Sequence, residues 1–259
     1  VFFVNWDGEK QQLHITELPP LPMPLDNLSA TYADGCLYVA GGKGKPQTVP
    51  IGQDGSQTAP TNPLFSLQLT PSLQKEWVRL PDFPGPARIQ PVLTAQQSED
   101  GIRLYLAGGF QPASAHQEAI VCTDMLSYHP KTKQWRNEGF LPSLAGGSHR
   151  TVTGGCAIAS GDSSILLVGG VNYDRFRDAL NHPEPDYLLH PVDWYKFNTS
   201  LLQYNTFTKH WTHLGNYEEL ARAGAGIANN ANTVIIIGGE LKPGIRTPEV
   251  NAFKLTCHP

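Results

Sequence analysis

A pair of glycines at the end of a short apolar run recurs four times along the chain. The runs are LYVAGG (37–42), LYLAGG (104–109), LLVGG (166–170) and IIIGG (235–239). After each of the first three pairs comes a second apolar run that ends in a tryptophan, at Trp77, Trp135 and Trp211. Repetition at long spacing is typical of proteins built from a repeated structural unit. Each unit is therefore expected to contribute four short strands.

The glycine pairs also indicate how such units pack. An apolar run of about five residues fits a strand that is buried on both faces, and glycine allows the chain to leave it through backbone angles that other residues avoid. A four-stranded sheet cannot cover both of its own faces, so copies are expected to pack around a common axis. We predict an all-β fold, a kelch-type β-propeller, with residues 1–259 in one domain.

Four blades can be drawn from the repeat, and two strands are left over. The blades cover residues 28–80, 91–139, 151–214 and 223–255, while residues 1–15 look like two strands of a blade whose inner half is missing. Strands from both termini often complete one blade and close a propeller. We therefore expect either that part of a larger ring lies outside this chain or that the ring is smaller.

Charge and composition exclude several classes of partner. The formal net charge is −4 and 16% of the residues are charged, with no basic stripe for nucleic acid and no basic amphipathic helix for a membrane surface. No stretch approaches the roughly 18 apolar residues of a membrane span. The cysteines at positions 36, 122, 156 and 257 lack C-x-x-C spacing. We expect buried, unpaired thiols, and neither a nucleic-acid nor a membrane partner.

One long segment does not fit the repeat. Residues 171–198 follow the third glycine pair, exceed what a blade needs and carry several aromatic residues. Long loops above a rigid scaffold often bind ligands. Aromatic side chains that pack on one another would instead make this insertion a self-supporting lid. The sequence leaves both interpretations open.

A second unusual segment, GGELKPGIRTPEV (238–250), follows the fourth glycine pair directly. Glu240 comes straight after a buried apolar run, which places its carboxyl group at the mouth of the ring, in position for proton transfer. The Lys-Pro-Gly turn returns Arg246 toward Glu240, and a guanidinium there could hold a carboxylate substrate in a bidentate grip. From position alone, a structural ion pair that braces a hairpin is the simpler interpretation.

These segments carry a family resemblance. GGVNYDRF (169–176), WYKFNTSLLQYN (194–205) and RAGAGIANNANTVIIIGGELKPGIRTPEV (222–250) resemble the kelch-type N-acetylneuraminate epimerases, also called sialic acid mutarotases, and FPGPARIQ (83–90) is similar to the start of their second blade. The resemblance covers nearly the whole chain, and the phrase GE-x-KPG-x-RT is its most specific part. It implies a propeller of six blades, where about four are evident here.

The resemblance also implies an activity and a set of site residues. The activity is the interconversion of the α and β anomers of sialic acid by acid/base ring opening and closure, without a metal or another cofactor, in the periplasm or elsewhere outside the cytoplasm. Glu240 falls on the family's acid/base and Arg246 on the arginine beside it. Arg88 and Asn172 match positions near the central opening, and Tyr195 is expected to pack against the sugar ring. Because the phrase GE-x-KPG-x-RT matches the family, the resemblance favours a catalytic role for Glu240 over a structural ion pair.

Other functions stay open at this point. A kelch ring can be a protein-interaction scaffold, or it can bind glycans without catalysis. A copper radical oxidase would need grouped tyrosine, cysteine and histidine ligands, and no such grouping is visible in the sequence. The chain departs from the family at Gly155, where the resemblance leads us to expect a histidine, so no role is carried over to that position. The oligomeric state is open as well, a homodimer included.

Overall fold

The computed structural model describes residues 1–44, 62–70, 72–73, 76–144, 146–230 and 232–255. Strands dominate this part of the chain, and most of them gather into four successive antiparallel sheets. The innermost strands of neighbouring sheets pack side by side, from the first sheet to the fourth. The predicted all-β fold made of propeller blades is therefore confirmed, with four blades among the described residues.

The N-terminal part of the chain forms a separate hairpin and then the first blade. The hairpin pairs β1 (Phe2–Asp7) with β2 (Gln12–Glu17) in a sheet of two strands, as predicted for residues 1–15. The next strands are β3 (Leu25–Asp26), β4 (Ser29–Ala33), β5 (Cys36–Ala40), β6 (Lys43–Gly44), β7 (Leu64–Gln68) and β8 (Val78–Leu80). The blade has the order β4-β5-β7-β8, and β3 pairs with β6.

The second and third blades have the same four-stranded plan. The strands of the second are β9 (Ile89–Ser98), β10 (Gly101–Gln111), β11 (Ile120–Val121), β12 (Asp124–His129) and β13 (Gln134–Phe140). Its order is β9-β10-β12-β13, and the short β11 pairs with the end of β10. The strands of the third are β14 (Cys156–Ser160), β15 (Ser164–Val168), β16 (Ser200–Asn205) and β17 (Trp211–Asn216), in sequential order.

The insertion is helical, and the fourth blade follows the third along the chain. Between β15 and β16 lie α1 (Tyr173–Asn181), a 3₁₀ turn (Tyr187–Leu189) and α2 (Val192–Tyr195). The last strands are β18 (Gly226–Asn230), β19 (Thr233–Ile237), β20 (Glu240–Lys242), β21 (Ile245–Arg246) and β22 (Val250–Lys254). Within the described ranges the fourth blade has three strands, in the order β18-β19-β22, and β20-β21 is a separate hairpin.

The second strand of each inner blade fills two interfaces at once. On β10, Leu104 is buried against the first blade and Tyr105 against the third. On β15, Leu167 faces the second blade and Leu166 the fourth. Side chains alternate between the two faces of a strand, so a strand with a blade on either side needs apolar side chains on both of its faces. This packing explains the continuous apolar runs in the sequence.

The first glycine of the first three pairs lets the next blade approach. Gly41 and Gly169 have φ of 68° and 66°, in the left-handed region that favours glycine. A Cβ atom at Gly41 would lie 2.5 Å from the carbonyl oxygen of Arg88, and one at Gly169 would lie 2.6 Å from that of Arg222. Both carbonyls belong to the start of the following blade. At these positions glycine is therefore required by the contact between blades.

The cysteines in the described ranges are free thiols, as expected from their spacing. Cys36 is a half-buried free thiol, and Cys122 and Cys156 are buried free thiols. Burial raises the pKa of the Cys122 and Cys156 thiols to about 11. Unpaired thiols are thus confirmed for these three, whereas Cys257 lies outside the described residues. None of the described helices has the length and apolarity needed to cross a membrane.

Candidate active site

The starts of the four blades meet around one cavity of about 510 Å³. Each blade contributes a residue at or just before the start of its innermost strand, namely Asn27, Gln90, Gly154 and Gly224 in chain order. Glu240 and Arg246 line the same cavity from the β20-β21 hairpin. The cavity therefore lies where the blades converge, and two charged side chains of opposite sign reach into it.

A chain of backbone hydrogen bonds joins these four residues. The N–H of Gln90 donates to the carbonyl of Asn27 at 2.8 Å, the N–H of Gly154 to that of Gln90 at 3.0 Å, and the N–H of Gly224 to that of Gly154 at 2.7 Å. All four residues have left-handed backbones, with φ between 52° and 70°. The four positions are thus structurally equivalent, and their linked backbones form the floor of the cavity.

Glu240 and Arg246 face each other across the hairpin. They are paired positions in the antiparallel ladder of β20 and β21, and Nε of Arg246 donates to Oε1 of Glu240 at 3.3 Å. The side chain of Arg246 is 80% exposed and that of Glu240 is 31% exposed. Exposed ion pairs contribute at most about 1 kcal/mol. This pair can therefore rearrange around a ligand at little cost in stability.

The hairpin stands on a rigid base. Ala223 and Glu240 exchange two backbone hydrogen bonds, at 3.0 and 2.7 Å. Arg222 is buried, and its guanidinium donates to the carbonyls of Gly238 and Glu249 and to the carboxylate of Glu249. These bonds tie together the two ends of the loop that carries the hairpin, so the backbone beneath Glu240 is fixed.

The insertion holds the hairpin from the side. Nζ of Lys242, two residues after Glu240, donates to the carbonyls of Leu188 and His190 at 3.1 and 2.7 Å. The same ammonium lies 5.9 Å from the centre of the Tyr195 ring. A single lysine therefore connects the hairpin that lines the cavity to the residues of the insertion around its 3₁₀ turn.

Tyr195 lies inside the insertion. Its side chain is almost fully buried, its hydroxyl donates to the carbonyl of Tyr187, and its ring packs edge-on against the rings of Tyr187 and Trp194. Trp194 in turn stacks on His190, with ring centres 3.9 Å apart. Tyr195 does not line the cavity of Glu240. This packing favours the interpretation of the insertion as a unit stabilised by its own aromatic side chains.

Arg88 is also held away from the cavity. It is 1% exposed. Its Nη1 donates to the carbonyl of Gly108, and its Nη2 donates to both carboxylate oxygens of Asp124, at 2.9 and 2.8 Å. Arg222 makes the matching bond to Gly238 in the fourth blade. The repeated contact, from an arginine to the first glycine of a pair, indicates that Arg88 fastens a blade together.

Asn172 and Gly155 each have a local structural explanation. Oδ1 of Asn172 accepts a hydrogen bond from the backbone N–H of Arg175 at 3.1 Å, so the side chain caps the N-terminus of α1. A Cβ atom at Gly155 would lie 2.6 Å from the carbonyl oxygen of Val168. A histidine does not fit there without a backbone shift. Of the five predicted site residues, the cavity thus brings together Glu240 and Arg246 only.

Two residues that line the cavity were not singled out in the sequence. Asn27 and Gln90 carry the only side chains at the four equivalent floor positions, since the other two are glycines. Aligning the four blade starts would have shown this difference. Gln90 closes the phrase FPGPARIQ, but a glutamine gives no sign in the sequence that its backbone is left-handed.

One group of residues in the described ranges has the chemistry of a metal site. Ligand atoms of Glu184, Asp186 and His190 lie within 4.8 Å of one another in the insertion. Both carboxylate residues are exposed, and none of the three lines the cavity. Exposed acidic groups commonly occur without a metal ion. The absence of a cofactor stays a prediction from the resemblance.

The fold and the cavity define a class: a kelch-type β-propeller with a carboxylate and a guanidinium where its blades converge. The family model for N-acetylneuraminate epimerase matches residues 18–258. The chain therefore belongs to the N-acetylneuraminate epimerase family.

Individual relatives agree with this assignment. An N-acetylneuraminate epimerase of Haemophilus influenzae (strain PittEE) is 30% identical over 243 residues, which cover 88% of this chain and 60% of the relative. The N-acetylneuraminate epimerase of Pasteurella multocida (strain Pm70) is 27% identical over 215 residues, which cover 78% of this chain and 52% of the relative. A solved structure of YjhT superposes with a TM-score of 0.69 at 24% identity, over 92% of this chain and 67% of that one. The chain thus spans a little over half the length of the curated relatives it matches.

Proposed function

We propose that the protein interconverts the α and β anomers of N-acetylneuraminate, with Glu240 as the acid/base and Arg246 as the anchor for the sugar carboxylate. The observation that supports this most strongly is that both side chains line one cavity where the blades converge and lie 3.3 Å apart. Membership of the epimerase family adds the substrate class. A carboxylic acid sugar needs a cation to bind it and a proton carrier to open it, and the pair offers both.

Ring opening moves one proton and breaks one bond. Glu240 takes the proton of the hydroxyl on C2, a C2=O double bond forms, and the bond from C2 to the ring oxygen breaks with its electrons on that oxygen. The ring oxygen then receives the proton back from Glu240. Rotation about the C2–C3 bond presents the other face of the carbonyl, and the reverse steps close the ring. The carboxylate ends as it began, so no net proton is consumed.

Arg246 suits the binding role because of how it is bonded. Among the described residues, its guanidinium donates to Glu240 through Nε, which leaves the two Nη groups to face a ligand. Two parallel N–H groups match the geometry of a carboxylate. A ligand held in this way has its C2 next to the carboxylate group, close to Glu240. The pair would thus bind the substrate and place its reacting carbon with the same few atoms.

The test is anomer exchange followed by NMR magnetisation transfer between the α and β signals. Wild-type protein is expected to accelerate exchange, and Arg246→Met is expected to raise KM by about 10- to 100-fold, the loss of a charge-assisted hydrogen bond. Arg79→Met is the matched control, since Arg79 is an exposed arginine paired with Asp82 and does not line the cavity. Equal KM values for the two variants would overturn the role of Arg246.

The competing function is non-catalytic binding of a glycan in the same cavity. Saturable binding of the sugar without faster anomer exchange would support it. A protein-interaction role draws on a different observation, the apolar side chains that β1 and β2 leave exposed, such as Phe2 at 64% and Ile15 at 65%.

Location outside the cytoplasm remains a prediction, which fractionation of cells that express the native gene would test.

A further inference from the structure

The floor of the cavity is asymmetric. Of its four left-handed positions, Gly154 and Gly224 carry no side chain, whereas Asn27 and Gln90 carry amides, at φ of 52° and 55°. Asparagine tolerates this conformation, but a glutamine seldom adopts it. Unfavourable backbone angles that persist in a folded protein are concentrated at functional sites. A glycine would adopt this backbone without strain, as it does at the two matching positions. The presence of a glutamine at position 90 therefore needs an explanation.

The two amides form a small polar unit. Nε2 of Gln90 donates to Oδ1 of Asn27 at 3.3 Å, and Nδ2 of Asn27 donates to Asp26 at 3.3 Å. Oε1 of Gln90 would lie 3.6 Å from a Cβ atom placed on Gly154. The oxygen of the Gln90 amide therefore points over the glycine part of the floor.

The glycine part of the floor is open. A Cβ atom added at Gly224 would meet no heavy atom within 4 Å. Small residues on this side leave room for a ligand, and the amides border that room from the first two blades. Glu240 and Arg246 border it from the fourth blade. A bound molecule would lie between a neutral polar pair and a charged pair.

We infer that Asn27 and Gln90 form the subsite for the neutral polar substituents of the acidic sugar, with Oε1 of Gln90 accepting a hydrogen bond from an N–H or O–H group of the ligand. This inference rests on the proposed function, which supplies the ligand class. An amide suits the task because it offers an acceptor and a donor without a charge that would repel or compete with the sugar carboxylate. The N–H of the acetamido group and the hydroxyls share this chemistry.

The experiment compares Gln90→Gly with Gln11→Gly. Gln11 is an exposed glutamine in the turn between β1 and β2, outside the cavity lining, with the same left-handed backbone at φ of 49°. Both substitutions relieve the backbone, so both variants are expected to keep or raise the melting temperature. Only Gln90→Gly is expected to weaken the binding of N-acetylneuraminate in titration calorimetry, by about 3- to 10-fold for a lost neutral hydrogen bond.

A second ligand separates the two sources of the bond. The second ligand is an analogue that has a hydroxyl in place of the acetamido group. If wild type and Gln90→Gly bind this analogue equally well, the bond is made by the acetamido N–H. If Gln90→Gly still binds it more weakly, the bond is made by a hydroxyl. Equal dissociation constants for wild type and Gln90→Gly would overturn the subsite and leave the proposed function standing. Asn27→Gly asks the same question if Gln90→Gly does not fold. A wild-type protein that neither binds nor exchanges the sugar would overturn the proposed function first.

Discussion

Arg246 and Glu240 are bonded to each other in the cavity where four blades converge, with Nε to Oε1 at 3.3 Å. Both residues lie on the β20-β21 hairpin, which has five strand residues. Arg222 holds the hairpin at its base, and Lys242 holds it at its side. The hairpin backbone is anchored by these bonds, while the Arg246 side chain is exposed and that of Glu240 is half-buried. A fixed backbone with adjustable charged ends is the arrangement that a small, transient ligand requires.

Lys242 is expected to couple the insertion to the hairpin. Lys242→Met removes two charge-assisted hydrogen bonds to the carbonyls of Leu188 and His190, so amide hydrogen exchange in residues 184–195 should become faster. Lys131→Met, at an exposed turn lysine, is the control. Unchanged exchange in the insertion of Lys242→Met would show that the aromatic packing alone holds it in place.

Arg88 is predicted to act on stability. Arg88→Met leaves the Asp124 carboxylate without its buried partner, and we expect the free energy of unfolding to fall by about 3 kcal/mol in urea titration. The double variant Arg88→Met/Asp124→Leu is expected to recover part of this loss, because no unpaired charge remains. If Arg88→Met keeps the wild-type free energy of unfolding but binds the sugar more weakly, the role in the site that the resemblance implies would be favoured instead.

The glycine pairs offer a test of the contact between blades. Gly169→Ala places a methyl group 2.6 Å from the carbonyl oxygen of Arg222 in addition to straining the backbone, and should lower the free energy of unfolding by more than about 3 kcal/mol. Gly161 is also left-handed, at φ of 57°, but has open space around it. Gly161→Ala should therefore cost about 1 kcal/mol. Similar losses for both would mean that the blades are not in close contact at Gly169.

Acid should destabilise the second blade through Asp100. Hydrogen bonds from Arg103 lower the pKa of the Asp100 carboxyl from 3.8 to about 2. A folded-state pKa below the unfolded one gives stability that is present above the unfolded value and lost as pH falls through the folded one. The loss should fall between about pH 4 and pH 2, and Asp100→Asn should flatten that part of the curve. Asp162→Asn, at an exposed turn, should leave it unchanged.

The fold could be predicted largely from the sequence because its signals are local. A short apolar run followed by two glycines reflects a strand with a blade on either side, as Leu104 and Tyr105 show. The approach of Arg246 to Glu240 was equally local, since a Lys-Pro-Gly turn joins the two short strands. The count of six blades that the resemblance implies stays a prediction for the family beyond the four described here.

The rest of the site depended on contacts that are distant in sequence. Arg88 bonds to Asp124, 36 residues away, and Tyr195 is enclosed by aromatic residues of its own insertion. Neither partner can be identified before the chain is folded. Gln90 was missed for another reason, because its significance lies in a backbone angle that its residue type does not suggest.

Glu240→Gln in the magnetisation-transfer experiment tests the central claim most directly. The substitution keeps the size of the side chain and its hydrogen bond from Arg246 but cannot carry the proton. We expect N-acetylneuraminate to bind with nearly wild-type affinity while the anomer exchange rate falls by about 10²- to 10⁴-fold, the usual contribution of positioned proton transfer. An exchange rate equal to that of the wild type would contradict the account.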